Sequence, residues 1–160
     1  MNIETIFFKA IDEVKLKGMI YHSNQNNKEI LISIHGMATN YLKLRDEIIG
    51  KEINQENIDM LVFNNRGHDL VNYINKTTPE GTKDILAGTA YEEIFESYYD
   101  ILGAIEYCLN RGYEKIYLMG HSLGSTKIVY FYKKLLKEDN KDILKHIKGV
   151  ILNAKQSILE

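Results

Sequence analysis

Ser122 lies at the centre of a Gly-x-Ser-x-Gly pentapeptide, residues 120–124, whose residue types could support nucleophilic chemistry. A short apolar run rich in strand-forming residues, 116–119, leads into it, and apolar residues at helical spacing follow directly. A serine at so tight a strand–turn–helix junction is under backbone strain, and glycines two residues before and after it let neighbouring backbone approach without a Cβ clash. We therefore predict that Ser122 is a nucleophile.

The same turn would aim the first free N–H groups of the following helix at the oxygen of the group that Ser122 attacks. A second motif lies upstream, where the apolar residues 32–34 end in His35-Gly36-Met37. A third segment, residues 63–69, reads Phe-Asn-Asn-Arg-Gly-His-Asp after another apolar run. Each motif follows a predicted strand, and the carboxyl edge of a parallel sheet is where α/β proteins place their sites.

Together these three motifs resemble the α/β-hydrolase superfamily of serine hydrolases. The run from Gly88-Thr89-Ala90-Tyr91 to Lys127 is also similar to one branch of it, a family of α/β-hydrolases whose fungal relatives include siderophore esterases. The resemblance covers nearly the whole chain and corresponds to the N-terminal part of that fold. It implies cleavage of an ester or related acyl bond in a small-molecule substrate.

The resemblance also implies roles for individual residues. Backbone N–H groups of Met37 and Leu123 would form the oxyanion hole that stabilises the tetrahedral intermediate. His35 is expected to be hydrogen-bonded structurally, and His121 to pack beside the turn. Arg66-Gly67-His68 would shape the floor of the site by hydrogen bonding, and we do not assign Asp69 as the catalytic acid.

Hydrophobic periodicity divides the chain into alternating strands and helices. The predicted strands span residues 3–8, 14–21, 29–35, 60–63, 116–119 and 149–152, and helices are predicted over 91–108 and 123–137. Another helix follows an Asn40 cap, with apolar positions at Tyr41, Leu44, Ile48 and Ile53. Residues 64–89 show no sustained period and are predicted as a surface excursion. This order predicts an α/β fold, a three-layer α/β/α sandwich with a mostly parallel sheet. By resemblance, it lacks the C-terminal strands of the α/β-hydrolase fold.

The remaining members of a catalytic triad are not evident. In this fold the acid and the histidine follow the serine in the chain. Only His146 follows Ser122, and it precedes a predicted strand, which places it at the wrong end of the sheet. The acidic candidates Glu138, Asp139 and Asp142 belong to a helix end or its loop. Because an unassisted serine hydroxyl is a poor nucleophile, we expect weak turnover or none from the chain alone.

Composition limits the other functions. With 160 residues and a net charge of −2, the chain suits one domain, residues 1–160, without the basic surface that nucleic acid or an anionic membrane would require. The single cysteine, Cys108, falls in an apolar helical pattern and is predicted to be a buried thiol. No segment resembles a signal peptide or membrane span, so we expect a cytoplasmic protein. No cofactor and no metal site are predicted.

Two other functions stay open. The predicted strand at Val150, Ile151 and Leu152 would form an open apolar edge, so the chain could instead be a non-catalytic remnant that self-associates or recruits a complementing chain. Water and alcohols compete for the same acyl-enzyme, which leaves an acyltransferase as a further alternative. Residues 154–157 turn polar where relatives continue, and we interpret this as premature termination, from a truncated or split gene.

Overall fold

The computed structural model describes residues 2–23 and 26–153; the predicted change at residues 154–157 lies outside them. The helices are α1 (Leu44–Gln55), α2 (Ser97–Asn110), α3 (Leu123–Lys137) and α4 (Lys141–Leu144), with a 3₁₀ turn at Ile94–Glu96 before α2. The strands are β1 (Asn2–Lys9), β2 (Lys15–His22), β3 (Glu29–Ile34), β4 (Asp59–Phe63), β5 (Asn72–Thr78), β6 (Gly81–Ala87), β7 (Lys115–His121) and β8 (Ile147–Asn153).

Six strands form one sheet in the order β1-β2-β4-β3-β7-β8. Strand β3 pairs in parallel with both β4 and β7, and β7 pairs in parallel with β8. Strand β2 pairs antiparallel with both β1 and β4, so it alone of these six strands runs in the opposite direction. The predicted mostly parallel sheet is therefore confirmed, and the carboxyl ends of β4, β3, β7 and β8 meet at one edge.

Helices cover both faces of this sheet, as the three-layer prediction requires. Side chains of α2 and α3, including Ile101, Ile105 and Phe131, pack with the sheet into the larger hydrophobic core. On the opposite face, Ile49 and Ile53 of α1 pack on a smaller cluster that contains Met119 of β7. The strand that carries the site is thus fixed from both sides.

Two predictions about the first helix are wrong. Asn40 does not cap it, because α1 begins at Leu44 and the Asn40 side chain binds the Leu42 N–H and Asp69 instead. The predicted apolar face is also rotated, since Leu44 and Ile48 are exposed. The inward face carries Gly50, where an added Cβ would lie 3.1 Å from the Tyr21 ring.

The predicted excursion over residues 64–89 contains regular structure. Strands β5 and β6 form an antiparallel hairpin of their own, in which Thr78 pairs with Gly81 across the turn. Few of its side chains are buried, so the hairpin has little of the apolar alternation that marks a strand in sequence. A bridge between Val14 and Lys76 joins it to the chain between β1 and β2.

The two long helices follow the sequence prediction more closely. Helix α3 has the predicted bounds, whereas α2 begins later than predicted, leaving Tyr91 exposed outside it. Gly112 follows α2 with φ of +90°, the left-handed conformation that ends helices. Cys108 is fully buried, as predicted.

Candidate active site

Ser122 occupies a strained turn between β7 and α3. Its φ of 53° and ψ of −123° place it in a region of backbone conformation that side chains with a Cβ atom rarely adopt. No side-chain hydrogen bond from Ser122 caps α3, although serine usually does so at such a position. Among residues 2–23 and 26–153, no hydrogen bond holds the Ser122 hydroxyl, and the backbone places it at the carboxyl edge of the sheet.

The flanking glycines are required by contact distances. A Cβ atom on Gly120 would lie 2.6 Å from the backbone of Gly124, and one on Gly124 would lie 2.2 Å from the carbonyl oxygen of Ile34. Neither distance is compatible with a side chain, because the obstructing atoms belong to the backbone. The glycines therefore allow α3 to pack directly against the ends of β7 and β3.

Two residues predicted to donate backbone N–H groups, Leu123 and Met37, lie beside Ser122. Leu123 is the first residue of α3, so its N–H has no intrahelical partner. Met37 lies in the loop after β3, and a Cβ on its neighbour Gly36 would be 3.1 Å from the Ser122 Cβ. The next N–H along, that of Ala38, donates to Thr89 Oγ1 at 2.8 Å, which fixes the loop.

A cleft of about 450 Å³ opens beside the serine. It lies where the loop after β3, the start of α1 and the end of β7 meet. Met37 and Leu44 present exposed apolar side chains there. The residues that line it are His35, Gly36, Met37, Thr39, Lys43, Leu44, Arg45, His121 and Ser122. Ser122 and Met37, which are far apart in the sequence, thus line the same cleft.

Solved structures that match this chain are esterases and α/β-hydrolases. Esterase Pf2001 of Pyrococcus furiosus matches 92% of this chain at TM-score 0.61 and 18% identity. Hydrolase GrgF of Penicillium sp. sh18 matches 97% at TM-score 0.67 and 16% identity, and Est1E of Butyrivibrio proteoclasticus, solved with ferulic acid, matches 89% at TM-score 0.63 and 18% identity. This chain has the α/β-hydrolase fold.

The matches also show how much of the fold is present. The chain spans about half the length of these proteins: 50% of Pf2001, 46% of GrgF and 50% of Est1E. A family model for lecithin:cholesterol acyltransferase matches residues 90–156, a stretch that includes Ser122. A comparison with curated proteins finds no significant match.

Within this α/β-hydrolase fold, His35 is a structural histidine. It is 3% exposed; Asn65 N–H donates to its Nε2 at 3.2 Å, so its Nδ1 carries the hydrogen and donates to the Gly36 carbonyl at 2.9 Å. Burial lowers the pKa of His35 to about 3. A neutral ring with both nitrogens engaged cannot accept the proton of Ser122.

The other two histidines considered in sequence analysis differ in position. His121 lines the cleft, and partial burial, together with the charge of Arg45, lowers its pKa. His146 lies at the opposite end of the sheet, where its Nδ1 contacts the Glu114 carbonyl at 2.8 Å and its own carbonyl accepts from Ile116. His146 is therefore far from Ser122, as its place before β8 indicated.

The Arg66 segment does not form the floor of the cleft. The Arg66 guanidinium is buried and donates to Asp100 at 2.8 Å and to Asp12 at 2.7 Å, which links β4 to α2 and to the chain before β2. It is absent from the residues that line the cleft. His68 Nδ1 instead contacts Asp69 at 2.9 Å. The expectation that this arginine shapes the site is corrected accordingly.

A buried ion pair near the site was missed in sequence analysis. Lys127, on α3, is fully buried and donates to Glu92 Oε2 at 2.6 Å and to Asn65 Oδ1 at 3.0 Å. Because Asn65 also donates to His35, this network ties α3 to the loops after β3 and β4. Its signal in the sequence is the position of Lys127, four residues before the buried Phe131.

Residues 2–23 and 26–153 contain neither a metal-binding cluster nor a membrane-spanning helix. No group of three His, Cys, Asp or Glu side chains there is arranged to hold a metal ion. No helix in that part of the chain is long and apolar enough to cross a membrane.

Proposed function

We propose that this chain carries the nucleophile and oxyanion hole of a serine acyl hydrolase. The observation that carries the proposal is the backbone conformation of Ser122, a strained turn in which the hydroxyl forms no hydrogen bond with the part of the chain that the structure describes. Ser122 Oγ would bond to the acyl carbon, and the Met37 and Leu123 N–H groups would stabilise the oxyanion. The bond to the leaving alcohol then breaks, and water releases the acid.

The proposal includes slow turnover. Among the described residues, His35 is buried with both nitrogens engaged, and His146 lies at the far end of the sheet. His121 lines the cleft but, like the other described histidines, forms no hydrogen bond with Ser122, so the serine proton would pass to solvent. Removing the base of such a triad lowers the rate by several orders of magnitude.

Labelling by an activated ester or a phosphonate tests this proposal, because such reagents have a strongly electrophilic centre and a good leaving group, so an unassisted serine can react with them during a long incubation. The chain is incubated with a fluorophosphonate, and the modified peptide is identified by mass spectrometry. We expect label on Ser122 and none in Ser122→Ala. Ser33→Ala is the matched control, since it removes the same atom from the neighbouring strand β3. Labelling that is equal in all three proteins would refute the proposal.

A second function is favoured by strand β8. It forms one edge of the sheet, and its consecutive residues Val150, Ile151 and Leu152 are all exposed. An apolar edge with free backbone groups is a template for pairing between chains. We propose as the alternative that the chain self-associates through β8. Sedimentation should show a dimer that Ile151→Lys dissociates, and a monomer at high concentration would refute it.

A further inference from the structure

The cleft beside Ser122 is positively charged. Lys43 and Arg45 line it, and none of the described residues that line it is acidic. The nearest carboxylates in sequence are engaged: Asp46 with Arg45 at 2.8 Å, and Glu47 with Lys51 at 2.6 Å. Lys43 is therefore left without an acidic partner among the described residues.

The second cation has a fixed position. Arg45 donates from Nε and Nη2 to the same oxygen of Asp46, at 3.1 and 2.8 Å, and the Asp46 side chain is only 2% exposed. A buried carboxylate that holds a guanidinium in this way keeps it from moving out into solvent. Together Lys43, Arg45 and Asp46 leave one net positive charge at the cleft.

The backbone adds to this charge. Lys43 is the residue at the amino end of α1, and no side chain caps that end. Unpaired N–H groups and the helix dipole at an amino terminus favour an anion. Part of the remaining wall of the cleft is apolar, because Met37 and Leu44 expose their side chains there. The cleft thus combines an apolar surface with one cationic end.

Resting on the proposed acyl hydrolase function, we propose that the substrate is an ester that carries an anionic group a few carbon atoms from the scissile carbonyl. The apolar side chains would contact the intervening carbons, and Lys43 with the amino end of α1 would bind the anion. A neutral ester of the same length would lose that interaction. The preference expected from a single solvent-screened charge contact is roughly fivefold.

The kinetic test compares two esters with the same acyl chain. Acylation of Ser122 by p-nitrophenyl hydrogen adipate, an anion, is measured against p-nitrophenyl methyl adipate, which is neutral, and each rate is divided by the rate of its reaction with hydroxide. We expect the corrected ratio to favour the anion about fivefold, to fall severalfold in Lys43→Gln, and to decrease with added salt. Lys51→Gln is the matched control, because it removes a lysine of α1 outside the cleft and should leave the ratio unchanged.

A ratio near one in the wild type, or an equal fall in both lysine variants, would overturn the charge preference and leave the Ser122 proposal standing. If neither ester acylates Ser122, the acyl hydrolase proposal fails instead. The inferred preference for an anionic substrate is then tested by ligand binding, which does not require acylation. On Ser122→Ala, amide chemical shifts measured by NMR should report tighter binding of monomethyl adipate than of dimethyl adipate; equal affinities would overturn the inference.

Discussion

Replacing Ser122 by glycine should stabilise the protein relative to the alanine variant. The φ of 53° and ψ of −123° at this position strain any residue that has a Cβ atom, at a cost of about 1 to 3 kcal/mol. Glycine adopts this conformation freely but loses about 0.5–1 kcal/mol through its greater freedom in the unfolded chain. The net gain of Ser122→Gly over Ser122→Ala therefore lies between about 0 and 2.5 kcal/mol, and we expect roughly 1 kcal/mol.

Equilibrium unfolding in urea measures this difference directly. Both variants lack the hydroxyl, so the comparison isolates the effect of backbone conformation on the free energy of unfolding. In a thermal experiment on a domain of this size, 1 kcal/mol would correspond to roughly 2–4 °C in Tm. The same pair of changes at Ser33, which is not among the residues with positive φ, should give the opposite order. If Ser122→Gly is no more stable than Ser122→Ala, the turn is not strained and the argument for Ser122 loses its main support.

Three further variants test the surroundings of the site. Gly124→Ala should cost about 3 kcal/mol, since its Cβ would lie 2.2 Å from a carbonyl oxygen, whereas Gly149→Ala meets only a ring edge at 3.2 Å and should cost far less in the same urea titration. The pKa of His35 is lowered to about 3, so the unfolded state binds more protons below pH 6.5 and stability should fall by about 1 kcal/mol between pH 6 and pH 5. His35→Gln should lose that part of the pH slope, and an unchanged slope would contradict the neutral buried ring. Lys127→Met should cost about 3 kcal/mol because it leaves Glu92 charged and buried, and adding Glu92→Gln should restore part of the loss in a double-mutant cycle.

The strand–turn–helix junction at Ser122 could be predicted because its determinants are local. The glycine at 120 and the glycine at 124 are fixed by contacts within a few residues of Ser122 or with the adjacent strand end, and a short sequence pattern records them. The same is true of α3 and of the glycine that follows α2. In each of these places the residue spacing visible in the sequence reflects a contact or backbone conformation that lies close by in the chain.

The cleft could not be predicted in the same way because it depends on where α1 lies. Leu44 and Ile48 fit an apolar helical stripe in sequence, yet the sheet below selects the face that carries Gly50. That rotation leaves Leu44 exposed in the cleft and places Lys43 and Arg45 along its wall. Tertiary packing, and not local propensity, therefore decides which side chains reach the serine.

The Asn153 carbonyl connects the serine to the edge of the sheet. It accepts hydrogen bonds from Ser122 N–H at 2.9 Å and from Ser125 Oγ at 3.1 Å, and it belongs to the last residue of β8. Edge strands with exposed side chains open more readily than the core of a sheet. Each local opening of β8 would break this hydrogen bond, so we expect the mobility of Ser122 to follow that of the edge strand. A ligand or added strand that reduces the opening of β8 would restrict the motion of Ser122 without contacting it.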